Sequence, residues 1–298
     1  MVAVSRIVAV VGPTATGKSD LGIALAQRLG GEIVNADSMQ LYEGMDVGTA
    51  KLPPADRHGV PHHLLDVWPV TKTASVAEYQ SLARGVIERL LAAGVTPILV
   101  GGSGLYIRAV LDDLRFPGTD AQVRARLEAE LAEVGPARLH ARLAASDPAT
   151  AAAILPSNGR KIVRALEVAE IGGGSFTGTM PAYESRYEVT MLGVDRPTPE
   201  LDERVARRVD VMWERGLVGE VRGLAERGLR EGVTARRALG YQQVLAMLDG
   251  ALTETAARAG AVQATKRFVR RQRSWFRPDP RIVWLAAPTI EHALAALG

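Results

Sequence analysis

The residues that most clearly predict chemistry in this chain form a glycine-rich loop, Gly12-Pro13-Thr14-Ala15-Thr16-Gly17-Lys18-Ser19. The loop fits the pattern G-x-x-x-x-G-K-[ST] and lies between an apolar run, 7–11, and a helix-like segment, 21–29. Such a loop points its backbone N–H groups at phosphate oxygens, while Lys18 adds a charge and the Ser19 hydroxyl can ligate Mg²⁺. It therefore predicts a diphosphate or triphosphate site with Mg²⁺, against the alternative of a strand–helix turn that binds nothing.

A carboxylate, Asp37, is the second candidate for chemistry. It follows the predicted strand 32–36, and ligands of parallel α/β sheets bind outside the carboxyl ends of the strands. An ATPase usually places an aspartate for Mg²⁺ at the end of a hydrophobic strand, but the strand 97–100 ends in Gly101-Gly102-Ser103. Topology thus makes Asp37 a candidate site residue, and a helix N-cap is an equally good interpretation.

The segment 264–277 is strongly basic and contains no acidic residue. On a helix its cations would form a stripe with spacings of i, i+4, i+7 and i+11: Lys266, Arg270, Arg273 and Arg277. Three aromatic residues are interleaved with them: Phe268, Trp275 and Phe276. RNA is bound by charge together with stacking on aromatic rings. The alternative is a solvated face with the aromatics in the core, but the phosphate loop and a second basic pair, Arg236-Arg237, favour RNA contact.

The elements that must position these residues alternate between strand and helix. Predicted strands at 7–11, 32–36, 97–100, 187–194 and 281–285 alternate with predicted helices at 21–29, 75–93, 199–227, 239–249 and 253–277. This pattern predicts an α/β fold, a P-loop parallel sheet covered by helices. The stretch 121–170 has helical periodicity alone, so we predict a core of 1–117 and 194–298 with a mainly helical insertion, 118–193.

Composition narrows the class of protein. The 298 residues are 47% hydrophobic and 23% charged, with a net charge of +3, as in an ordinary globular protein. The absence of cysteine excludes disulfides and cysteine metal sites and fits a reducing compartment. The apolar start is short and interrupted by Arg6, Gly12 and Pro13, and no stretch reaches the roughly 20 apolar residues of a membrane span. We therefore expect a cytoplasmic protein that does not enter a membrane.

Several segments together resemble one family, the bacterial tRNA dimethylallyltransferases, also called tRNA isopentenyltransferases. They are GPTATGKS at 12–19, DSMQLYEGMDVGTAK at 37–51, PHHLLD at 61–66, GGSGLY at 101–106, PSNGRKIVRAL at 156–166, RALGYQQ at 237–243 and TKRFVRRQRSWFR at 265–277. They cover nearly the whole chain in the expected order. The segment 37–51 is the most specific, because generic P-loop kinases do not have it.

The resemblance implies transfer of a dimethylallyl group from dimethylallyl diphosphate to N6 of an adenosine, tRNA position 37, beside the anticodon. It implies that Asp37 takes the amine proton, that Ser103 supplies a hydroxyl often found as threonine, and that Mg²⁺ on Ser19 assists the leaving group. The implied diphosphate ligands are Gly12, Thr14, Ala15, Thr16, Gly17, Lys18, Ser19 and Arg237. The implied tRNA contacts are Asp37, Ser38, Met39, Gln40, Ser103, Arg160, Lys161, Arg164, Arg237, Tyr241, Lys266, Arg270 and Arg273. The partner would be the anticodon stem-loop, bound by a monomer.

Two other functions fit part of the pattern. A P-loop kinase of a small metabolite would use Asp37 as a base toward a hydroxyl group, would turn over ATP and would have no need of the basic segment 264–277. A noncatalytic RNA-binding protein would use the P-loop as an anion anchor, and its activity would survive Asp37→Asn.

Overall fold

A computed structural model describes residues 7–172 and 182–298. These residues form two compact units, one from the described residues up to 113 and from 183 onward, the other from those between 114 and 182. The predicted insertion, 118–193, was therefore placed too far along the chain, because the strand at 189–193 pairs within the sheet of the first unit. Residues 173–181, which belong to the predicted insertion, lie outside the described residues.

The first unit is built on a parallel sheet. Its strands are β1 (Ile7–Val11), β2 (Gly31–Asn35), β3 (His62–His63), β4 (Thr96–Gly101), β5 (Val189–Gly193) and β6 (Ile282–Trp284). In the described residues their order is β3-β2-β4-β1-β5-β6, and every neighbouring pair is parallel. This confirms the predicted fold class. Since the strands are parallel, the loops after β1, β2, β4 and β5 all leave the same edge of the sheet.

The helices in chain order are α1 (Lys18–Leu29), α2 (Val76–Ala92), α3 (Gly104–Leu111), α4 (Ala121–Ser146), α5 (Pro148–Ala152), α6 (Gly159–Glu170), α7 (Thr198–Glu214), α8 (Leu217–Glu226), α9 (Tyr241–Leu248), α10 (Glu254–Phe276) and α11 (Ile290–Leu297). Helices cover both faces of the sheet because successive side chains of a strand point to opposite faces. Ile7 and Ala9 of β1 pack in the core with α2, α3 and α7 to α10, whereas Val8 and Val10 pack with α1 and α11.

The predicted helix 199–227 is wrong in one respect. The structure has two helices there, α7 and α8, separated at Gly216, whose φ is 91°. A left-handed residue cannot continue a right-handed helix, and glycine adopts that conformation without a steric penalty. After this break, Glu220 of α8 contacts the backbone N–H groups of the segment 46–48. A continuous helix would not predict this contact.

The described secondary structure of the second unit is helical. Helix α4 is interrupted at Gly135, whose φ is 77°, and Pro136 follows it. Leu127, Leu139 and Leu143 of α4 form a separate small core with apolar residues of α6. Among the described residues of both units, no helix is long and apolar enough to cross a membrane.

Candidate active site

The predicted phosphate loop lies between β1 and α1, where the sequence motif requires it. Gly12 has a φ of 139°, and a Cβ at this position would lie 2.1 Å from the carbonyl oxygen of Val194, so no side chain fits. The Thr16 hydroxyl donates to the carbonyl oxygen of Pro13 at 2.9 Å and closes the loop on itself. The loop is thus held in shape by contacts within the protein, and the N-terminus of α1 faces the cavity that it encloses.

A cavity of about 250 Å³, which we call the P-loop cavity, is lined by residues 14–19 together with Asp37, Gln40, His62, Arg204, Arg208 and Gln272, among others. Gly12 supports the loop from behind. The cavity brings together six of the predicted diphosphate ligands, residues 14–19, with a carboxylate from the loop after β2. It also contains cations of α7 that sequence reasoning missed.

The missed cations are Arg204 and Arg208, one turn apart on α7. Arg204 donates to the carbonyl oxygen of Ala15 at 2.7 Å, and Arg196 donates to that of Thr16 at 3.0 Å. Arg208 donates to the carbonyl oxygen of Thr49 at 3.2 Å and lines the P-loop cavity. The outward carbonyls of the P-loop are therefore held by arginines, and Arg208 adds charge beside Lys18. The i, i+4 spacing of Arg204 and Arg208 was the available signal in the sequence.

Lys18 donates to the carbonyl oxygen of Pro13. Burial, and next the neighbouring Arg208 guanidinium, lower the pKa of Lys18 to about 7, although Asp37 and Asp195 act in the opposite direction. An anion placed in the P-loop cavity would favour the charged ammonium and raise this pKa again.

We therefore expect diphosphate binding to take up a proton at Lys18. Below pH 7 the amine is already protonated in the free protein, whereas above pH 7 binding must bring the proton. Affinity should then fall with rising pH by up to about tenfold per pH unit. Calorimetry at about pH 8 in two buffers of different ionisation enthalpy measures the uptake. The variant Lys18→Met lacks the amine, whereas the ionisation of the diphosphate itself is the same with either protein. Equal proton uptake by the variant and the wild-type protein would therefore contradict the prediction.

Asp37 follows β2 by two residues, and its carboxylate accepts the backbone N–H of Met39 at 2.9 Å. The side chain of Asn35 holds the backbone of Asp37 by accepting its N–H at 3.0 Å and donating to its carbonyl oxygen at 3.1 Å. Ser103, at the end of β4, accepts the N–H of Ser38 through its hydroxyl at 3.3 Å. The structure thus brings the two predicted catalytic residues, Asp37 and Ser103, to adjacent loops.

A second cavity of about 240 Å³ adjoins the first, and we call it the apolar cavity. Its walls are mainly apolar side chains of α7 and α10 with Tyr241: Val205, Val209, Met212, Trp213, Ala261 and Phe268. Thr14, Asp37 and Arg208 line both cavities. A carboxylate and a guanidinium therefore stand between a site suited to phosphate and a site suited to an apolar group.

Comparison with known proteins agrees with this geometry. The family model described as IPP transferase matches residues 40–279. A tRNA dimethylallyltransferase of Streptomyces avermitilis is 68% identical over 94% of this chain and 90% of its own length. The chain belongs to the IPP transferase family.

Solved structures of related proteins share the fold. The full-length tRNA isopentenylpyrophosphate transferase of Bacillus halodurans is 39% identical, with a TM-score of 0.69 over 94% of this chain and 89% of its own. A eukaryotic dimethylallyltransferase acting on tRNA has a TM-score of 0.78 over 94% of this chain and 73% of its own, but at 24% identity this likeness supports the fold alone.

The segment 37–51, the most specific part of the resemblance, is held together by the buried ammonium of Lys51. Lys51 is 8% exposed and donates to the carbonyl oxygen of Tyr42 at 2.9 Å and to the carboxylates of Asp46 at 2.7 Å and Asp66 at 2.5 Å. A buried lysine needs such partners, because an unpaired charge in the interior is costly. The rest of the segment therefore forms a wall next to Asp37.

Glu220 of α8 holds the same wall from the other side. Its carboxylate accepts the N–H groups of Asp46, Val47 and Gly48 at 3.1, 2.6 and 3.2 Å, and the Tyr241 hydroxyl at 2.6 Å. Tyr241 is fully buried, and burial raises the pKa of its phenol well above the ordinary value. Its ring lines the apolar cavity while its hydroxyl is engaged with Glu220.

We expect Glu220→Gln to lower the free energy of unfolding by about 2 kcal/mol, because one carbonyl oxygen cannot replace a carboxylate with several donors. The amide NH₂ would also face backbone N–H groups. Thermal and urea unfolding measure the change, and Glu226→Gln, an exposed glutamate on the same helix, is the control. Equal stability of the two variants would show that Glu220 does not support the wall.

The basic helix differs from its prediction at one position. Arg273 is 7% exposed and donates to Asp195 at 2.9–3.1 Å, to the Thr198 hydroxyl at 2.8 Å and to the carbonyl oxygen of Arg196 at 2.5 Å. It is therefore a buried structural cation, and the predicted surface stripe does not include it. Lys266 is half-buried and lies 3.4 Å from Asp202. The exposed cations of this helix and its C-cap are Arg267, Arg270, Arg271 and Arg277.

The aromatic residues of this helix divide between surface and core. Trp275 is 38% exposed, whereas Phe276 is 3% exposed and packs in the main core. Phe268 lines the apolar cavity. The core interpretation is therefore confirmed for Phe276 and not for Trp275, and RNA contact stays a prediction.

The other predicted site residues of the first unit lie on the walls of the two cavities. Ser38 and Met39 line the apolar cavity and Gln40 lines the P-loop cavity. Arg237 is exposed and lies on the wall of the apolar cavity, and its diphosphate contact stays a prediction.

In the second unit, Arg160 and Lys161 are exposed. Arg164 is instead tied within the unit, donating to the carbonyl oxygens of Pro117 and Gly118 at 2.6 and 2.9 Å and to Glu167 at 2.8 Å. Its tRNA contact stays a prediction.

Proposed function

We infer that this chain is an enzyme that transfers a prenyl group to an adenosine of tRNA. The curated relatives that support this are named tRNA dimethylallyltransferase and are matched over 94% of this chain and 90% of their own length. The observation in the structure that carries the inference is the position of Asp37, whose side chain lines both the P-loop cavity and the apolar cavity. A transferred apolar group and its phosphate leaving group need such a pair of sites with a base between them.

We propose that the donor is dimethylallyl diphosphate and that the acceptor is N6 of the adenosine at tRNA position 37, in the anticodon stem-loop. The diphosphate would lie in the P-loop cavity and the five-carbon group would point toward the apolar cavity. The N6–C1 bond forms as the C1–O bond to diphosphate breaks. Asp37 takes the proton that N6 loses, which helps because the exocyclic amine is a poor nucleophile.

The developing negative charge of the leaving diphosphate is stabilised by fixed groups of the site. Lys18 and Arg208 supply positive charge, and the N-terminus of α1 supplies backbone N–H groups. Arg196 and Arg204 bind carbonyl oxygens of the P-loop. The backbone N–H groups of the loop are therefore oriented before the reaction. The P-loop thus serves a leaving group in this proposal, with no phosphoryl transfer.

We propose Mg²⁺ as the cofactor, held by the Ser19 hydroxyl and by diphosphate oxygens. Ser19 lines the P-loop cavity, and among the described residues no group of three or more His, Cys, Asp or Glu side chains could hold a metal ion. One hydroxyl is a sufficient protein ligand where Mg²⁺ accompanies a phosphate, because the ion keeps several waters. Bound there, Mg²⁺ would neutralise charge on the leaving group.

The tRNA contacts proposed on this geometry are the exposed cations Arg160, Lys161, Arg237 and Arg270, and the exposed ring of Trp275. Since tRNA is the acceptor and the chain lacks cysteine, we propose that the protein acts in the reducing cytoplasm. We further propose that it acts as a monomer.

Transfer of label from dimethylallyl diphosphate to a tRNA mixture tests the proposal. We expect label in tRNA, Mg²⁺-dependent, and located by nuclease digestion at the adenosine beside the anticodon. A parallel reaction with ATP and small acceptors tests the kinase alternative. Steady ATP turnover with no label in tRNA would overturn the prenyl-transfer function.

A further inference from the structure

We propose that Gln272 is a positioning residue that fixes the P-loop and the loop carrying Ser103 with a single amide. It lies in the basic stretch of α10, yet it is only 4% exposed. Its Oε1 accepts the backbone N–H of Thr14 at 3.0 Å, and its Nε2 donates to the carbonyl oxygen of Gly102 at 2.9 Å. The proposal rests on the proposed function only in assigning a diphosphate to the P-loop cavity.

The two loops that Gln272 joins carry the groups of both substrate sites. Thr14 lines both cavities, and Gly102 precedes Ser103, whose hydroxyl accepts the N–H of Ser38 next to Asp37. A Cβ on Gly102 would lie 2.3 Å from Nε2 of Gln272, so a side chain at this position would displace the amide. The amide therefore connects the phosphate loop to the loops after β2 and β4.

The contact also determines which P-loop donors are available to a ligand. The N–H of Thr14 is directed to Gln272, so it is not a free donor for phosphate, which revises the predicted diphosphate role of that amide. Gln272 itself lines the P-loop cavity. Its neutral amide satisfies one donor and one acceptor without placing negative charge beside a diphosphate. Glutamate has nearly the same shape, but it would retain only the acceptor and would add that charge.

The test compares Gln272→Met and Gln272→Glu with Gln263→Met, an exposed glutamine of the same helix. Binding of inorganic diphosphate with Mg²⁺ is measured by calorimetry, thermal unfolding is measured in parallel, and the KM values for both substrates are measured in the transfer assay. We expect Gln272→Met to weaken diphosphate binding by about tenfold, since two backbone groups lose their partner. Gln272→Glu should weaken it further through repulsion, and the KM for dimethylallyl diphosphate should rise in the same order.

A purely structural role predicts a different result in both measurements. Methionine, which satisfies neither backbone group, would then be the more damaging residue in unfolding, and diphosphate affinity would be equal in all folded variants. That result would overturn the proposal, as would diphosphate binding by Gln272→Glu within twofold of the Gln263→Met control. If diphosphate affinity changes as expected while the wild-type protein transfers nothing to tRNA, the proposed function fails and the role of Gln272 stands.

Discussion

Replacing Asp37 by asparagine is expected to abolish prenyl transfer while the protein stays folded and still binds tRNA. Asparagine keeps the oxygen that accepts the N–H of Met39, so the turn after β2 is retained. It cannot take a proton from the adenine amine, and loss of general-base catalysis costs about 10²- to 10⁴-fold in rate. Single-turnover transfer of label to tRNA measures the loss, while filter binding and thermal unfolding follow tRNA affinity and stability.

The matched control is Asp56→Asn, an exposed aspartate outside both cavities, which should transfer at the wild-type rate. Wild-type transfer by Asp37→Asn would remove the carboxylate from the mechanism and favour a noncatalytic role for this position. Loss of tRNA binding in parallel with transfer would mean that Asp37 binds the acceptor instead of taking its proton.

The second large effect is expected from Arg208→Met. Arg208 lines both cavities, burial lowers the pKa of its guanidinium, and Asp37 acts in the opposite direction. Removing a preorganised cation from a developing diphosphate should lower kcat/KM for the donor by about 10²-fold. Steady-state kinetics with varied dimethylallyl diphosphate measures this, and Arg207→Met, an exposed neighbour on α7, should change little.

A shift in pH dependence separates this role from general damage. Arg208 is the charged group that lowers the pKa of Lys18, so its removal should raise that pKa above about 7. The pH above which diphosphate binding weakens should then move upward in Arg208→Met. A variant with reduced activity and an unchanged pH profile would argue that Arg208 acts by supporting the fold through its bond to Thr49.

Much of the architecture could be predicted because its causes are local. The helix predicted at 75–93 is observed at Val76–Ala92, and the strand predicted at 97–100 is observed at Thr96–Gly101. The P-loop was predicted with its flanking elements because its glycine positions and its place between strand and helix depend on adjacent residues. Asp37 entered the site through topology alone, since all parallel strands end at one edge.

Other parts of the site depend on contacts between distant residues. The sequence of α10 offered equal reasons to place Arg270 and Arg273 on the surface, but Arg273 is buried and pairs with Asp195 after β5, whereas Arg270 is exposed. The roles of Arg204 and Arg208 depend on α7 lying across the P-loop. Helical periodicity predicts which residues share a face, yet it does not identify the element that the face meets.

The sequence by itself determined the phosphate loop, the parallel α/β fold and, through its specific segments, the family. Only the tertiary structure decided which cations serve the P-loop, which are structural, and that Gln272 joins two loops separated by more than eighty residues of chain. The physical reason is that backbone conformation and strand order follow from neighbouring residues, whereas the partner of a buried polar group is chosen by packing among segments far apart in sequence.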